Sequence, residues 1–390
     1  IILSSNKNNK VPKLRFKEFK DDWNSSSFGE IVTLSTKKIN PQKELKSYID
    51  IEMDSIESST GRLIKQYKST DFKSIKTIFS SDDVLYGKLR PYLRKYYKPY
   101  FEGVCSSEFW VFTSTVITQR FLYYFIARNS FNNEANKTCG TKMPRADWQK
   151  IKKLQIYWPP YHEQQKISSF FDFIDKKIIL IQFKLAILKK YKEGILSLYR
   201  KKASQNGNLI KLSSICKLIS GFNFSTDDYI YNGKFKVVTI GNVVDERYIS
   251  GSFKQVNYSP NSFISLSRED LLISMTGNVG RSSYVNSDNM VLNQRVCKFE
   301  CELSNKKFIY MITKTISFKR RMSVLAQGGA QSNLKNNDIL NYSFYKIGDE
   351  NVHQNYVEIY DRLDLILEQS KRLIYHLKLL KKALLNALFI

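Results

Sequence analysis

An apolar stripe with the period of a coiled coil occurs twice in this sequence, and it constrains the fold more than any other feature. In the first stretch the steps between apolar residues alternate between four and three as far as Leu188, and the second stretch repeats the pattern at a constant offset without a gap. The stripes are Ile167, Phe171, Ile174, Ile178, Ile181, Leu185, Leu188, Ile195 and Tyr199, then Tyr356, Tyr360, Leu363, Leu367, Ser370, Ile374, Leu377, Leu384 and Leu388. A single helix would leave such a stripe in water, so both segments are predicted to be long helices that pair.

The two stripes also share polar positions. Lys192 and Lys381 interrupt them at the same place, and Asp175 corresponds to Asp364 at the same offset. Shared interruptions indicate that the two helices pack on each other or on equivalent partners.

The repeat extends into the segments that precede the helices. Asp83–Tyr86 matches Asp270–Ile273, and Phe109–Phe112 matches Val296–Phe299 at an identical spacing. These segments contain short β-rich runs bounded by turn residues, with helical patches between them, such as 119–129 and 306–323. The predicted fold class is therefore α+β, with two repeated α/β modules that are each followed by a long helix. The predicted divisions are 1–158 and 206–350 for the modules, and 159–205 and 351–390 for the helices.

The charge balance predicts an extended polyanion as the partner. Lys and Arg total 62 against 36 acidic residues, a formal net charge of +26, and cations predominate in both halves. Nucleic acid is the simplest such partner. The five cysteines contain no CxxC pair, which fits a reducing cytoplasm, and the three histidines have no metal-ligand spacing. No run of roughly 18 apolar residues predicts a membrane span.

The stretch "WPPYHEQQKI" at 158–167 suggests either a catalytic motif or a helix entrance. Its Pro-Pro-Tyr core resembles the tetrapeptide of DNA amino-methyltransferases, but Trp158 cannot accept a hydrogen bond from a target amino group as Asn or Asp would. A glycine-rich turn for AdoMet and a Walker loop are also absent from the sequence. The prolines instead predict extended backbone before a helix, with Glu163 favouring its first turn.

Four stretches carry a family resemblance. They are "DVLYGKLRPYL" at 83–93, "GTKMPRADW" at 140–148, "PPYHEQQKISSFFDFIDKKI" at 159–178 and "GGAQSNL" at 328–334. Together with the duplication they resemble the DNA-specificity (S) subunit of type I restriction-modification enzymes. One departure is "ENVHQNYVEI" at 350–359, where the family usually shows a second Glu-Gln pair.

The resemblance implies two target-recognition domains, each of which reads one half of a bipartite, asymmetric double-stranded DNA sequence. It implies that the long helices form an antiparallel coiled coil that sets the half-site spacing. Two copies of the modification (methyltransferase) subunit would dock on this chain, and restriction/translocase subunits would join them. AdoMet, ATP and Mg would then belong to the partners, and the chain itself would be no enzyme. The alternative hypothesis is a non-catalytic adaptor whose basic modules bind RNA or other anionic partners.

Most candidate DNA contacts are basic, amide or hydroxyl residues in loops that flank strands. Glu108 is added as a residue at a strand entrance, and Arg320 and Arg321 are added from a helical patch. Cations would supply phosphate contacts, and Arg, Asn or Gln could read base edges. In the first module the candidates are Lys88, Arg90, Tyr92, Arg94, Lys95, Ser107, Glu108, Lys142 and Arg145. In the second module they are Thr276, Asn278, Arg281, Asn293, Arg295, Arg320, Arg321, Gln331 and Asn333.

Overall fold

The computed structural model describes residues 2–3, 11–137, 142–327 and 333–390. They fall into two compact units: Ile1–Leu180 with Ile374–Ile390, and Ile181–Leu373. We call these the first unit and the second unit. Both unit boundaries fall inside the long helices, so the predicted ends of the modules stay a prediction. No helix in the described ranges combines the length and the apolar character that crossing a membrane requires.

The first unit is built on two sheets. Its strands are β1 (Ile2–Leu3), β2 (Leu14–Arg15), β3 (Asn24–Ser27), β4 (Thr33–Leu34), β5 (Lys38–Ile39), β6 (Ile49–Ile51), β7 (Tyr67–Lys68), β8 (Lys76–Phe79), β9 (Val84–Gly87), β10 (Tyr96–Tyr97), β11 (Gly103–Ser106), β12 (Phe109–Thr113) and β13 (Gln155–Trp158). Its helices are α1 (Phe28–Ile31), α2 (Gln119–Ile126), α3 (Asn129–Ala135), α4 (Trp148–Ile151) and the first part of α5 (Tyr161–Asn206). One sheet has the order β10-β9-β12-β4, and the other has the order β5-β8-β11-β6-β7.

The second unit uses the rest of α5 and a similar set of elements. Its strands are β14 (Gly207–Lys211), β15 (Lys217–Ser220), β16 (Phe235–Val238), β17 (Lys254–Val256), β18 (Ser265–Leu266), β19 (Leu271–Ser274), β20 (Ser282–Tyr284), β21 (Met290–Leu292), β22 (Val296–Glu300) and β23 (Ser343–Ile347). Its helices are α6 (Leu303–Thr313), α7 (Ile316–Gln327), α8 (Asn336–Leu340) and the first part of α9 (Glu350–Ala387).

The two main sheets of the second unit repeat those of the first in strand order, except that β5 has no counterpart in the matched sheet. The order β20-β19-β22-β15 corresponds to β10-β9-β12-β4, and β18-β21-β16-β17 corresponds to β8-β11-β6-β7. In both units the pair at the middle of the second sheet, β11–β6 or β21–β16, is parallel. The register also matches, because Phe109 pairs with Gly87 and Val296 pairs with Ser274. The predicted fold class of two repeated α/β modules, each followed by a long helix, is confirmed.

Aromatic side chains make up much of the hydrophobic core of the first unit. All four residues of β9 are buried, so this strand lies at the centre of its sheet. Phe28 of α1 packs on Phe112, Phe125 and Phe131, with ring centroids 5.5–5.8 Å apart. Such ring pairs each contribute about 0.5–1.5 kcal/mol beyond the burial of area. These contacts join α1, α2 and α3 to β12, which belongs to the same sheet as β9.

The long helices are joined by an ion pair in each unit. In the first unit, Lys381 Nζ donates to both carboxylate oxygens of Asp175, at 2.6 and 2.7 Å. In the second unit, Lys192 donates to Asp364. The lysines that interrupt the apolar stripes are therefore partners of the repeated aspartates.

A second contact in each unit gives the direction of this pairing. In the first unit Phe171 of α5 packs on Phe389, just beyond the end of α9, with ring centroids 6.2 Å apart. In the second unit Tyr199 of α5 packs on Tyr356 of α9, with centroids 5.8 Å apart. Compared with the ion pair of the same unit, residue numbers rise along α5 as they fall along α9. The helices are therefore antiparallel within each unit.

Each of these aspartates also accepts a hydrogen bond from a tyrosine of its own unit. The Tyr124 hydroxyl lies 3.0 Å from Asp175, and the Tyr310 hydroxyl lies 2.8 Å from Asp364. Burial alone would raise the pKa of Asp364, but Lys192, Tyr310 and Arg247 together hold it below its ordinary value. Asp364 is therefore a charged group inside the helix seam that depends on its partners.

The "WPPYHEQQKI" stretch is a helix entrance, as predicted. Strand β13 ends at Trp158, the two prolines follow, and α5 begins at Tyr161. Glu163 is buried and its two carboxylate oxygens accept from Arg15 Nε and Nη2, both at 2.8 Å. Gln164 accepts from the Thr118 N–H at 2.8 Å and donates to the Pro159 carbonyl at 3.0 Å. The Glu-Gln pair thus joins the start of α5 to two distant segments.

The start of α9 is fastened by other side chains than the start of α5. His353 occupies the position that corresponds to Gln164, and its Nδ1 lies 2.9 Å from the Tyr199 hydroxyl. The His353 ring also packs edge-on against Phe308, with centroids 4.4 Å apart. Burial lowers the pKa of His353 to about 4, so this imidazole is neutral at pH 7.

Removing the carboxylate of Asp364 is expected to destabilise the second unit. An Asp364→Asn variant leaves the ammonium of Lys192, which is mostly buried, without its counter-charge, and loss of one partner of such a pair costs about 3 kcal/mol. The double variant Lys192→Met/Asp364→Asn removes both charges and should recover much of that loss. The check is the urea midpoint of the full chain; equal midpoints for the single and double variants would contradict it.

Stability should also depend on the protonation of His353. The unfolded chain binds this proton near pH 6.5 and the folded chain only near pH 4, so acid favours the unfolded state within that window. Between pH 7 and pH 5 the loss should reach about 1–2 kcal/mol. His353→Gln, which copies the side chain of Gln164, should remove that part of the pH dependence. Thermal unfolding at both pH values measures it, and an unchanged pH dependence in the variant would argue against this origin.

Candidate nucleic-acid interface

Three segments of the first unit meet where β9 ends. The Lys88 N–H donates to the Glu108 carbonyl at 2.9 Å, and the Ala146 N–H donates to the Lys88 carbonyl at 2.8 Å. The Arg90 N–H donates to the Pro144 carbonyl at 2.7 Å. The loop after β9 is therefore held between the residue that precedes β12 and the segment that precedes α4. We call this arrangement the first junction.

The second unit builds the same junction at the end of β19. The Met275 N–H donates to the Arg295 carbonyl at 3.0 Å, and the Leu334 N–H donates to the Met275 carbonyl at 2.8 Å. An isolated bridge joins Thr276 to Asn333, as another joins Leu89 to Arg145 in the first unit. The loops that follow β9 and β19 are thus structurally equivalent. We call this the second junction.

Several predicted contact residues of the first unit lie at the surface of its junction. The exposed ones are Arg90, Tyr92, Ser107, Lys142 and Arg145, and the half-buried ones are Lys88 and Glu108.

Arg145 and Glu108 form a forked ion pair at this surface. Arg145 Nε and Nη2 donate to the two carboxylate oxygens of Glu108 at 3.0 and 2.9 Å. These hydrogen bonds hold the pKa of Glu108 below its ordinary value despite partial burial. Half of the Arg145 side chain is exposed, so the fork presents an open edge to solvent.

Arg94 and Lys95 point into the first unit instead. Arg94 Nη1 donates to Asn129 Oδ1 and Nη2 donates to the Ala127 carbonyl, both at 2.8 Å. Lys95 donates to the Met53 carbonyl, and burial lowers the pKa of this lysine. These two cations bind the module internally, whereas Arg90 on the same loop is exposed. DNA contact stays a prediction for the whole residue set.

The loop of the second junction is a tight turn. Ser274 Oγ donates to the Asn278 carbonyl at 2.6 Å and accepts from the Arg281 N–H at 3.1 Å. Gly280 closes the turn at φ +73°, where a Cβ would also meet Met322 at 3.0 Å. Asn278 is therefore displayed at the tip of the loop, whereas Thr276 is buried behind it.

The other predicted contacts of the second unit differ in exposure. Arg295 is exposed, and Arg281 and Asn293 are half-buried. Arg320 and Arg321 are exposed on α7. Asn333 lies in the bridge to Thr276. Gln331 falls outside the described residues.

Sequence reasoning missed a polar cavity in the second unit. It has a volume of about 430 Å³ and is lined among others by Lys192, Asp245, Arg247, Lys314 and Lys371. Lys314 donates to Asp245 Oδ1 at 2.7 Å, and burial lowers the pKa of this lysine to about 8. The lining residues are spread from 189 to 371 along the chain, so no local pattern marks them. In the described ranges no three His, Cys, Asp or Glu side chains are grouped to hold a metal ion.

Two arginines of one loop should respond differently to truncation. Arg90 and Arg94 both have left-handed backbone, with φ of 49° and 50°, so substitution by Ala perturbs the backbone equally. Arg94→Ala also loses two charge-assisted hydrogen bonds and should cost about 2 kcal/mol of stability, while Arg90→Ala should be nearly neutral. Urea midpoints of the two variants test this, and a neutral Arg94→Ala would refute the internal role.

Comparisons with known proteins agree with this architecture. The family model described as "Type I restriction modification DNA specificity domain" matches residues 20–190 and 206–385. The "Type I restriction enzyme EcoDI specificity subunit" of Escherichia coli is 26% identical over 165 residues, which are 41% of this chain and 37% of that protein. The "Type I restriction enzyme MjaVIII specificity subunit" of Methanocaldococcus jannaschii is 23% identical over 256 residues, 58% of this chain and 59% of that protein. The chain thus spans less than two thirds of either relative.

The fold has a counterpart among solved structures. The S subunit of a type I restriction-modification system from M. genitalium matches with a TM-score of 0.66 at 15% identity, over 97% of this chain and 99% of that one. Because the domain model covers most of the sequence in two copies, family membership does not depend on any single relative. The chain therefore belongs to the family defined by the type I restriction modification DNA specificity domain, and it carries two copies of that domain.

Proposed function

We propose that each module reads one half of a bipartite, asymmetric double-stranded DNA target. In this proposal the paired helices fix the distance between the half-sites. The chain then directs adenine methylation and restriction by partner subunits. One observation carries the proposal: the same backbone junction is built twice, with different side chains at matching positions.

The side chains at the two junctions differ in charge and in hydrogen-bonding capacity. Lys88 of the first junction corresponds to Met275 of the second, and Glu108 corresponds to Arg295. Arg145 corresponds to Asn333 through the matched isolated bridges. Base edges in the major groove are distinguished by their donors and acceptors, so different side chains on one framework read different bases. This supports an asymmetric target over a palindromic one.

The charge of the chain supports a polyanionic partner. A formal charge of +26 favours phosphate contacts, which supply much of the affinity for DNA and make it strongly salt-dependent. Exposed cations suit that role, such as Lys142 near the first junction and Arg320 and Arg321 on α7. The forked pair of Arg145 and Glu108 carries little net charge and is better suited to contact base edges than phosphates.

The long helices support the spacing role. Helix α5 has 46 residues, which corresponds to about 69 Å at 1.5 Å per residue. Ion pairs between α5 and α9 in each unit oppose sliding of one helix along the other, because a shifted lysine would lose its aspartate. Helices held in one register can act as a spacer of fixed length.

Exposed apolar residues on the helices support partner docking. In the second unit, Phe183, Ile187 and Tyr191 follow one another at steps of four residues on α5, and each side chain is more than half exposed. Such a stripe on a helix marks an interaction surface. We propose that it contributes to docking of the modification subunit, in two copies per chain, with restriction/translocase subunits joining the assembly. AdoMet, ATP and Mg would be held by these partners, in the cytoplasm and on nucleoid DNA.

An adaptor that binds RNA or another anionic partner is the alternative. The junctions favour double-stranded DNA, because they display cations and an amide in loops at strand ends and no cluster of exposed aromatic residues for stacking of unpaired bases. That statement concerns the described parts of the two junctions. Competition of labelled duplex DNA by single-stranded RNA separates the two hypotheses.

Replacement of one module should change one half of the target. The full chain is co-expressed with its modification subunits in cells that lack other adenine methyltransferases, and the methylated motif is determined by sequencing. We expect two short specific blocks separated by an unspecific gap. Exchange of residues 1–158 for those of another family member should change one block and leave the other block intact. An uninterrupted motif, or a change in both blocks, would contradict the modular function.

A further inference from the structure

We propose that Arg145 reads a guanine in the half-site of the first module, and that Glu108 is the positioning residue that aims it. This inference rests on the proposed function and extends it to one base pair. It starts from the forked ion pair at the surface of the first junction, which has no acidic counterpart in the second.

The fork leaves one edge of the guanidinium for a second bidentate contact. Glu108 accepts from Nε and Nη2, which form one edge of the planar group. Nη1 and the second hydrogen of Nη2 form the other edge, and within the described residues the side-chain hydrogen bonds of Arg145 are the two to Glu108, neither of which uses Nη1. Guanine presents O6 and N7 side by side in the major groove, and an arginine edge matches these two acceptors. Arg145 can therefore hold Glu108 and a guanine at the same time.

The charge of the fork argues against a simple phosphate contact. The carboxylate of Glu108 lies 2.9 Å from the guanidinium, so the pair is nearly neutral as a whole. Its acidic half repels phosphate oxygens, and long-range attraction to the DNA backbone is weak there. Directional hydrogen bonds to a base edge remain available. A surface acid beside DNA is unfavourable for affinity, but it has a use if it orients the residue that reads the base.

The backbone holds both members of the fork in place. The carbonyl of Glu108 accepts a hydrogen bond from the Lys88 N–H. The two neighbours of Arg145 in the chain, Pro144 and Ala146, form backbone hydrogen bonds with the same loop after β9. The two side chains thus start from backbone positions of fixed separation, Glu108 in the turn before β12 and Arg145 in the isolated bridge to Leu89. Glu108 removes the rotational freedom that a free arginine would lose on binding, so the guanidinium is oriented before DNA arrives.

The second junction shows that the framework does not require this pair. Arg295 stands at the position of Glu108, and Asn333 stands at the position of Arg145. The matching backbone bonds form there as well, at 3.0 and 2.8 Å. The fork is therefore not needed to build a junction, and a role in recognition accounts for it better than a role in folding.

The test measures base discrimination by the assembled complex. The chain is purified together with its modification subunits. Dissociation constants are then measured for an unmethylated duplex that carries the motif found by sequencing, and for a series of duplexes in which one specific base pair at a time is replaced. We expect the unsubstituted complex to prefer guanine at one position of the first block by about 5- to 150-fold. Arg145→Ala should abolish that preference and leave discrimination at the other positions unchanged. Arg145→Lys keeps the charge but lacks the two planar donor edges, so it should retain only a weaker preference for guanine, and it serves as the control for a folding defect.

Glu108 variants separate positioning from a structural role. Glu108→Ala should reduce the same preference several-fold and should strengthen binding to unspecific duplexes, because an acid near phosphates is removed. Glu108→Gln keeps one acceptor and should retain an intermediate preference, with an unchanged unfolding midpoint. Lys142→Ala is the control for a phosphate contact and should weaken binding to all duplexes equally.

Two results would overturn the inference. If Arg145→Ala weakens binding to all duplexes equally, as expected for Lys142→Ala, then Arg145 contacts phosphate or only supports the fold. If Glu108→Ala leaves discrimination at the guanine position unchanged, then Glu108 does not position Arg145. Failure of the proposed function gives a different result, because the unsubstituted complex would then show no two-block preference.

Discussion

The structure depends on an apolar seam between two helices that run in opposite directions, with one Asp–Lys pair in each unit. On each helix the lysine follows the aspartate by the same distance, since 192 − 175 and 381 − 364 both equal 17. Antiparallel pairing brings each aspartate to the lysine of the other helix. A parallel pairing in register would instead place aspartate beside aspartate and lysine beside lysine, which is unfavourable in a partly buried seam. The charges thus select the direction of pairing, while the apolar stripe supplies the driving force.

The long helices and the duplication were predictable from the sequence because both are repeated patterns of residue type. Apolar steps of four and three and a constant offset survive large changes in individual residues. The sequence did not reveal the contacts that fasten the helix entrances, such as the pair of Arg15 and Glu163, because its members lie 148 residues apart. It also suggested one helical patch at 306–323, where the structure has two helices with a break before Ile316. Thr315 produces that break by accepting from the Phe318 N–H at 3.1 Å, a local effect that overrides helical periodicity.

At the junctions the sequence located the loops but not the direction of their side chains. The repeat that sets Phe109 against Val296 correctly matched the segments that precede β12 and β22. It could not separate Arg90, which is exposed, from Arg94, which donates to Asn129 and Ala127. Both arginines lie in one basic loop with the same left-handed backbone. What distinguishes them is the presence of acceptors at the end of α2 and the start of α3, and that information exists only in the folded module.

The helix seam keeps the same side chains in both copies of the repeat, whereas the two junctions carry different ones. The reason is that side chains make the contacts in the seam and backbone groups make them at the junctions. In the seam the side chains make the contact, so both copies retain an aspartate and a lysine at matching positions. At the junctions backbone N–H and carbonyl groups make the contact, and these groups are present whatever the side chain is. Lys88, Glu108 and Arg145 could therefore become Met275, Arg295 and Asn333 without loss of the framework. A framework held by backbone hydrogen bonds tolerates changes in its exposed side chains, and this is what the proposed function requires of two modules that read different half-sites.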